Sequence, residues 1–419
     1  MTKNIVLNLS ARGANDAIQG LMEDYGEALQ QAGHAIVQVD MQGEASELRY
    51  AVELMRNNEV RFAMTWLGIG QELGIKDEGT GQTASAFEIF NVPLVKLQGD
   101  LPAYFPKRHQ DIPRNCVNLY QASEFIEFRR RYVGNATALA SLIPPIPMVP
   151  IERRSFDVTR RREGKLVFLK NGNSPVELRS LWQSRLPAAT ARLIVAMADA
   201  ITPLGLKGGT LHIGDFVVDF LKSNDVGGEP PREMVCFFSA QMDDYLRRVK
   251  STMIAEAILD FPVIVQGNFW RHLDFSGKRA QLLEGKDVRA SHQDLGEQLG
   301  VIDMSANVDG WPHDRVQRGA GSFSLVLTNR QGWLCDNFTD FTDLIYEFDT
   351  DSIRHRIAEA IAKPDRYLDM AVAFGERFRV IYPRENFAQR VSDMVDHAML
   401  LWNEPRPALQ PFYVWPSRA

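Results

Sequence analysis

The sequence predicts an α/β fold of two parallel-sheet domains, and three observations carry that expectation. Its 419 residues exceed one ordinary hydrophobic core. Short apolar runs alternate with stretches of helical periodicity, the pattern of right-handed βαβ units. A proline-rich stretch, Pro144, Pro145, Pro147 and Pro150, interrupts the alternation, which then restarts.

Ile5 to Leu9 reads as the first strand, and Ile18, Leu21, Met22, Tyr25 and Leu29 fall at helical spacing after it, with Gly33 placed to end the helix. Ile36 to Val39 is the next strand, and Leu48, Val52 and Met55 mark another helix. Further strands are expected at Phe62 to Leu67, Pro93 to Leu97 and Val117 to Tyr120. Beyond the prolines and the Arg-rich segment from Glu152 to Lys165, Leu166 to Leu169 begins a second set. Leu181 to Asp260 reads as mostly helical, with a break from Val226 to Pro231. Strands return at Pro262 to Gln266, Val301 to Met304, Ser324 to Thr328 and Leu344 to Tyr346. From Thr350 to Ala362, Ile353, Ile357 and Ile361 share one helical face, Asp349 or Asp351 can cap it, and Pro364 stops it. A last helix, about Asn386 to Trp402, leads into a tail with Phe412, Tyr413, Trp415 and Pro416 that is costly to leave in water. The expected domains are therefore 1–150, 151–385 with a helical insertion at about 181–260, and a segment 386–419 that crosses back to the first domain.

Hydrophobic content of 45% with 24% charged residues belongs to a folded chain. A net charge of −6 offers no overall basic field for nucleic acid. The runs Arg129 to Arg131, Arg153-Arg154 and Arg160 to Arg162 read as solvated faces. Cys116, Cys236 and Cys335 stand far apart, without the spacing of a disulfide framework or a structural zinc site. No basic-then-apolar leader precedes Ile5, and no stretch reads as long and apolar enough to span a bilayer, so the expected address is the cytoplasm, with no integral membrane segment. Oligomeric state is left open, and the plainer reading of the aromatic tail is a surface segment or an oligomer contact.

Ligands of open parallel sheets bind outside the strand carboxyl ends, so residues just after strands are the candidates. Lys170-Asn171-Gly172-Asn173-Ser174-Pro175 follows the strand ending at Leu169; it offers a cation, a glycine and a helix cap to a phosphate, although Asn-Gly turns are also ordinary connections. Gln266-Gly267-Asn268-Phe269-Trp270 could line a nucleobase pocket, or its aromatics could be core. Asp309-Gly310-Trp311-Pro312-His313-Asp314-Arg315-Val316 opens a helix. There Arg315 can fork onto a diphosphate, and His313 can donate to a phosphate oxygen or stabilise the leaving group. The competing reading is a capped helix whose arginine pairs with a carboxylate.

The run from His313 to Val316, through Gly319-Ala320-Gly321-Ser322 to Leu325-Val326-Leu327-Thr328-Asn329, resembles the C-terminal half of the spore-maturation CgeB-like glycosyltransferases. Phe338 to Phe341, Tyr346-Glu347-Phe348, the Thr350 helix, Pro364 and Gly375-Glu376-Arg377 continue the likeness. Tyr245 to Gly267 is similar to the preceding unit, and Val92 to Val95 leading into Gly99-Asp100-Leu101-Pro102 carries the match in the first domain. The resemblance implies a GT-B fold, two Rossmann-like domains facing across a cleft, and transfer of sugar from a nucleoside-diphosphate donor bound mainly by the second domain. Two positions depart from the family pattern. Arg318 stands where many such retaining enzymes carry Glu, and Asn329 replaces the Asp of a Thr-Asp strand end, which leaves sugar identity and stereochemistry open.

Enzymes of this fold stabilise the departing diphosphate with cations and helix N-termini. No Asp-x-Asp metal site is expected: Asp349 and Asp351 read as helix caps, and Asp243-Asp244, the nearest carboxylate pair, lies inside an expected helix. The expectation is a metal-independent glycosyltransferase without a cofactor, acting on a glycan, protein or small-molecule acceptor. Asp100 is the candidate base should transfer invert configuration, against its plain reading as a turn aspartate. The alternatives are a catalytically inactive GT-B-like binding protein and a sugar-nucleotide epimerase of the same fold. A Rossmann dehydrogenase is disfavoured, since Ser10-Ala11-Arg12-Gly13 after the first strand lacks G-x-G-x-x-G.

Overall fold

The computed structural model describes residues 4–11, 16–76, 83–110, 113–134, 139–148, 156–224, 228–286, 291, 295–305, 307–402 and 412–414. Arg12, Gly13, Pro150, Arg153, Arg154, Val226, Trp415 and Pro416, named above, lie outside these. The chain divides into two compact units, Met1–Pro144 with Arg384–Ala419, and Pro145–Pro383.

The first unit contains β1 (Ile5–Ser10), β2 (Ala35–Asp40), β3 (Val60–Trp66), β4 (Gly74–Lys76), β5 (Thr83–Ser85), β6 (Leu94–Gln98), β7 (Cys116–Tyr120) and β8 (Leu139–Leu142). The second contains β9 (Leu166–Leu169), β10 (Ile264–Gln266), β11 (Gln281–Leu283), β12 (Gly300–Ile302), β13 (Leu325–Asn329) and β14 (Ile345–Tyr346), and β15 (Phe412–Val414) returns to the first. The first unit's sheet has the order β15-β8-β7-β6-β3-β1-β2, parallel throughout, with β4 and β5 forming a separate antiparallel pair. Burial on both faces explains its apolar strands: Leu7, Leu9, Ala63 and Leu94 join one core cluster with Ala51, Leu54 and Met55 of the helix Ala45–Arg56. The helix Asp16–Gln31 buries Leu21, Met22, Tyr25 and Leu29, and Gly33 at φ +92° lets the chain turn into β2. The returning helix Arg384–Trp402 packs Phe387 on Tyr25 at 4.6 Å between ring centroids. Its Arg384, itself buried, reaches Asp24 at 3.5 Å and Glu27 at 3.3 Å.

The second unit's sheet runs β11-β10-β9-β12-β13-β14, again parallel throughout. Counted along the chain this is the order 3-2-1-4-5-6 of a doubly wound dinucleotide-type fold. Leu166, Phe168, Val263, Val265, Val301, Leu325 and Leu327 form its core with Ile353, Ile357, Phe374 and Phe378. Between β9 and β10 the described residues form the helices Pro175–Arg185, Ala188–Leu206, Ile213–Ser223 and Arg232–Ile258. The helix Ala188–Leu206 is long and apolar enough, by length and composition, to cross a membrane, which corrects the expectation that no such stretch exists. Within the unit it buries Ile194, Met197, Ala198 and Ile201 and exposes Arg192 and Asp199, the amphipathic pattern of a core-facing helix.

Asp349 caps the helix Thr350–Ala362 through the N–H groups of Asp351 and Ser352, both at 3.0 Å, and Pro364 opens a further helix, Pro364–Ile381. Two arginines of the basic runs turn inward and correct their reading as solvated. Arg129 is fully buried and donates to the His109 carbonyl at 2.8 Å. Arg161, 1% exposed, donates to the Ser322 and Phe323 carbonyls at 2.9 and 3.1 Å and to Ser324 Oγ at 2.8 Å. A cation at the carboxyl end of the helix Asp314–Ser322 complements its dipole. Burial brings the Arg161 guanidinium down to about 10.

Candidate functional site

In the 3-2-1-4-5-6 order the connections leave β9 toward one edge and β12 toward the other. The loops after these two neighbours therefore diverge, which is where the rule for such sheets puts the ligand crevice. Those loops carry Lys170 to Ser174 and Asp303 to His313.

Lys170 is anchored by its backbone: its N–H donates to the Gln266 carbonyl at 3.0 Å, and its carbonyl accepts from Trp270 Nε1 at 2.9 Å. Its half-buried ammonium has no hydrogen bond or ion pair among the described residues. Burial, reinforced by Arg315 and Arg247, draws it down to about 8, against the pull of Asp314 and Asp303. Four residues on, Ser174 caps the helix Pro175–Arg185, its hydroxyl accepting from the Glu177 N–H at 3.2 Å.

From the other loop, Arg315 is 9% exposed; its Nε donates to the Leu169 carbonyl at 3.3 Å and its Nη1 to Asp303 Oδ1 at 3.2 Å. Asp303, fully buried, also accepts from Thr328 Oγ1 at 2.8 Å, and its carbonyl accepts from the Tyr346 hydroxyl. His313 Nδ1 lies 2.6 Å from Asp314 Oδ1 and 3.2 Å from Asp303 Oδ1. The same nitrogen is 3.4 Å from the Arg315 N–H and 3.1 Å from Arg315 Nη1, contacts that would need a bare lone pair. A lone pair facing two carboxylates is repulsive, so the closer carboxylate contact decides and Nδ1 carries the proton, directing Nε2 away from both. Burial works against the imidazolium, but Asp314 and then Asp303 outweigh it and the opposing Arg315, and His313 is raised above the usual histidine value. Both carboxyls are held below theirs: burial opposes this, and the nearby His313 and Arg315 prevail.

The sequence-derived candidates separate on this geometry. Lys170, His313, Asp314 and Arg315 gather at the β9–β12 border. Asn171 and Asn268 instead stitch loops together: Asn171 Oδ1 accepts from the Asn268 N–H at 2.9 Å, and Asn268 Oδ1 from the Gly285 N–H at 3.2 Å. Gly172 and Gly267 are explained by close packing, because a Cβ would come within 2.0 Å of Trp270 or of the Lys170 carbonyl, respectively. Asn173 and Gly310 are exposed. Trp270 is 2% exposed against Phe168, which removes it as a nucleobase platform, whereas Phe269 is 63% exposed. Asp309 accepts from the Gly332 N–H at 2.7 Å and from Thr210 Oγ1 at 3.1 Å, so its carboxylate ties loops together. Trp311 is buried with its indole N–H unpartnered. Asp100 follows β6 and belongs to the first unit.

Sequence reading missed Asp303, placed inside an expected strand that in fact ends at Ile302. It also missed the face of the helix Arg232–Ile258 bearing Asp243, Arg247 and Lys250, although their i, i+4, i+7 spacing was a visible signal. Asn329 accepts from Ser305 N–H at 2.9 Å and Oγ at 3.0 Å, holding the loop after β12. Arg318 pairs with Asp314 at 3.3 Å.

No protein-family model matches the chain, and no curated protein does either. Among solved structures it is similar to an alpha-glucosyltransferase in complex with UDP and a 13-mer DNA containing a HMU base, at 10% identity and a TM-score of 0.50, over 94% of this chain and 99% of that one. It is also similar to T4 phage beta-glucosyltransferase, at 8% identity and a TM-score of 0.50, over 94% and 99% of the two chains. At such identities the likeness is one of fold. Two Rossmann-like units with parallel sheets, matched over nearly the whole length, make this a GT-B fold.

Proposed function

We propose that the chain is a glycosyltransferase that moves a sugar from a nucleoside-diphosphate sugar to a glycan, protein or small-molecule acceptor without a metal. One observation carries the reading: a half-buried lysine without a partner, beside a nearly buried arginine and two helix N-termini, at the switch point of a parallel sheet. A half-buried cation with no carboxylate in contact is costly, and an anion relieves that cost. Helix N-termini favour the same sign of ligand. A fold shared with two glucosyltransferases, one bound to UDP, agrees with a nucleotide ligand, although fold alone does not assign chemistry. The likeness of the His313 to Arg315 loop to CgeB-like glycosyltransferases belongs to the same reading.

On this account Lys170 and Arg315 hold the diphosphate and stabilise the charge that develops as the glycosidic bond breaks. His313, its Nδ1 proton fixed between Asp314 and Asp303, presents Nε2–H to a phosphate oxygen of the leaving group. Arg318 and Asn329, in place of family carboxylates, favour one competing reading, a donor-binding protein without transfer. Incubation with UDP-, GDP- and dTDP-sugars and an acceptor library, in EDTA, tests the proposal. Release of nucleoside diphosphate with a glycosylated product supports it; binding without turnover across the panel supports the inactive reading. Activity that appears only after divalent metal is restored contradicts metal independence.

A further inference from the structure

We propose that Arg247, on the long helix of the second unit, is a further anion-binding side chain of this site and selects a diphosphate over a monophosphate, with Asp243 as its positioning residue. The inference rests on reading the site as one for a nucleoside diphosphate.

One stretch of the helix Arg232–Ile258 touches both loops that frame the crevice. Toward the loop after β9, Arg248 Nη1 donates to the Ser174 carbonyl at 3.3 Å. Toward the loop after β12, Asn307 Nδ2 donates to Asp243 Oδ1 at 2.9 Å, and Asn307 Oδ1 accepts from Lys250 Nζ at 2.8 Å. Asp243, Asn307 and Lys250 are all buried, so this turn of helix is fixed from both sides. Arg247 lies between them, its Nε 2.7 Å from Asp243 Oδ2 and its side chain 23% exposed.

The helix thus packs against both loops, and Arg247 is a cation on the stretch that touches them. Its positive charge is felt at Lys170, second among charged neighbours only to that of Arg315. The counter-charges are unevenly shared: Asp303 serves Arg315, Asp243 serves Arg247, and Lys170 is left over. A monophosphate can satisfy Lys170 and Arg315. A diphosphate spreads further charge over a second phosphoryl group and calls for another donor. A guanidinium, with five N–H donors in a planar fork, can serve phosphate oxygens while retaining a carboxylate. Asp243, itself held by Asn307, keeps that fork in place before ligand arrives.

Titration calorimetry on the full chain compares wild type, Arg247→Met and Arg247→Lys. The probes are inorganic pyrophosphate, inorganic phosphate, and the di- and monophosphates of uridine, guanosine and thymidine. Arg247→Met should weaken pyrophosphate and the preferred diphosphate by about 10- to 100-fold, the range for a charged hydrogen bond, and the matching monophosphate by less than about 3-fold. Arg247→Lys should restore part of the loss. Equal losses for di- and monophosphate, or none, overturn the inference and leave the site reading standing. If wild type binds none of the probes, the site reading falls and takes the inference with it. Should Arg247→Met not fold, the diphosphate-to-monophosphate affinity ratio of Arg247→Lys decides: a ratio equal to that of wild type overturns the role of the fork.

Discussion

Replacing Asp303 with Asn removes one charge from the centre of the site while keeping its volume. Asp303 Oδ1 serves both Arg315 and His313 at 3.2 Å, and Oδ2 serves Thr328 at 2.8 Å. The asparagine can keep the threonine bond, but it leaves the nearly buried Arg315 with the Leu169 carbonyl and without that carboxylate. Breaking a buried pair costs ~3–5 kcal/mol, and because Asp314 remains beside His313 the low end, about 3 kcal/mol, is expected. The pH dependence has a definite sign. The lowered carboxyl of Asp303 gives stability that is present above its unfolded value and is lost as pH falls through the folded one. The raised His313 gives stability that is present below its unfolded value and is lost as pH rises through the folded one. The wild-type advantage over Asp303→Asn should therefore be largest between those ranges, near about pH 6, and should shrink as pH rises through the folded His313 value, above which the Arg315 contribution alone persists. Urea unfolding of both proteins across a series of pH values from about 6 upward measures it. A difference below about 0.5 kcal/mol, the size of a surface change, or one that does not vary with pH, would refute the assignment of Asp303 as the hub.

Further outcomes follow from other parts of the structure. Because Lys170 loses its charge at about 8, nucleoside-diphosphate affinity should fall as pH rises through that value, and Lys170→Arg should reduce the fall to the part that His313 contributes; a flat wild-type profile contradicts the role of Lys170. Truncation after residue 411 removes β15 and leaves β8 as an unpaired edge, so the melting temperature should drop; an unchanged melting curve argues against β15 as a stabilising strand. Arg161→Met strips a buried cation from three acceptors at the end of the helix Asp314–Ser322, and should cost about 2–4 kcal/mol in urea unfolding. Stability within experimental error of wild type would show that the clamp is dispensable.

The fold was legible where periodicity is strong. β1, β9 and β13 were found within a residue or so because apolar runs buried on both faces read as continuous. The helices described between β9 and β10 were anticipated as a helical region from Leu181 to Asp260, which begins inside Pro175–Arg185, and their boundaries were not read. β11, three residues with Leu282 and Leu283 exposed, is too short to show a periodicity, as are the strands of the β4–β5 pair. At the site, Lys170, His313 and Arg315 were visible because they follow strands. Asp303 was not, since a carboxylate that ends an apolar strand looks like an interruption until the register is known. Asn171, Asn268 and Asp309 share the residue types of a ligand loop, yet their side chains hold backbone N–H groups, a distinction that only partners and distances reveal. The inward turn of Arg161 depends on carbonyls far away in sequence, which no local pattern encodes.

The central claim is that the crevice between β9 and β12 binds a nucleoside diphosphate through Lys170. The most direct test is the dissociation constant of UDP, GDP, dTDP and ADP for wild type and for Lys170→Met, by calorimetry at about pH 7, where the ammonium is charged. The account predicts saturable binding of at least one of them, weakened about 10-fold or more in the folded variant. Equal affinities in the two proteins, or no binding to wild type, would contradict it.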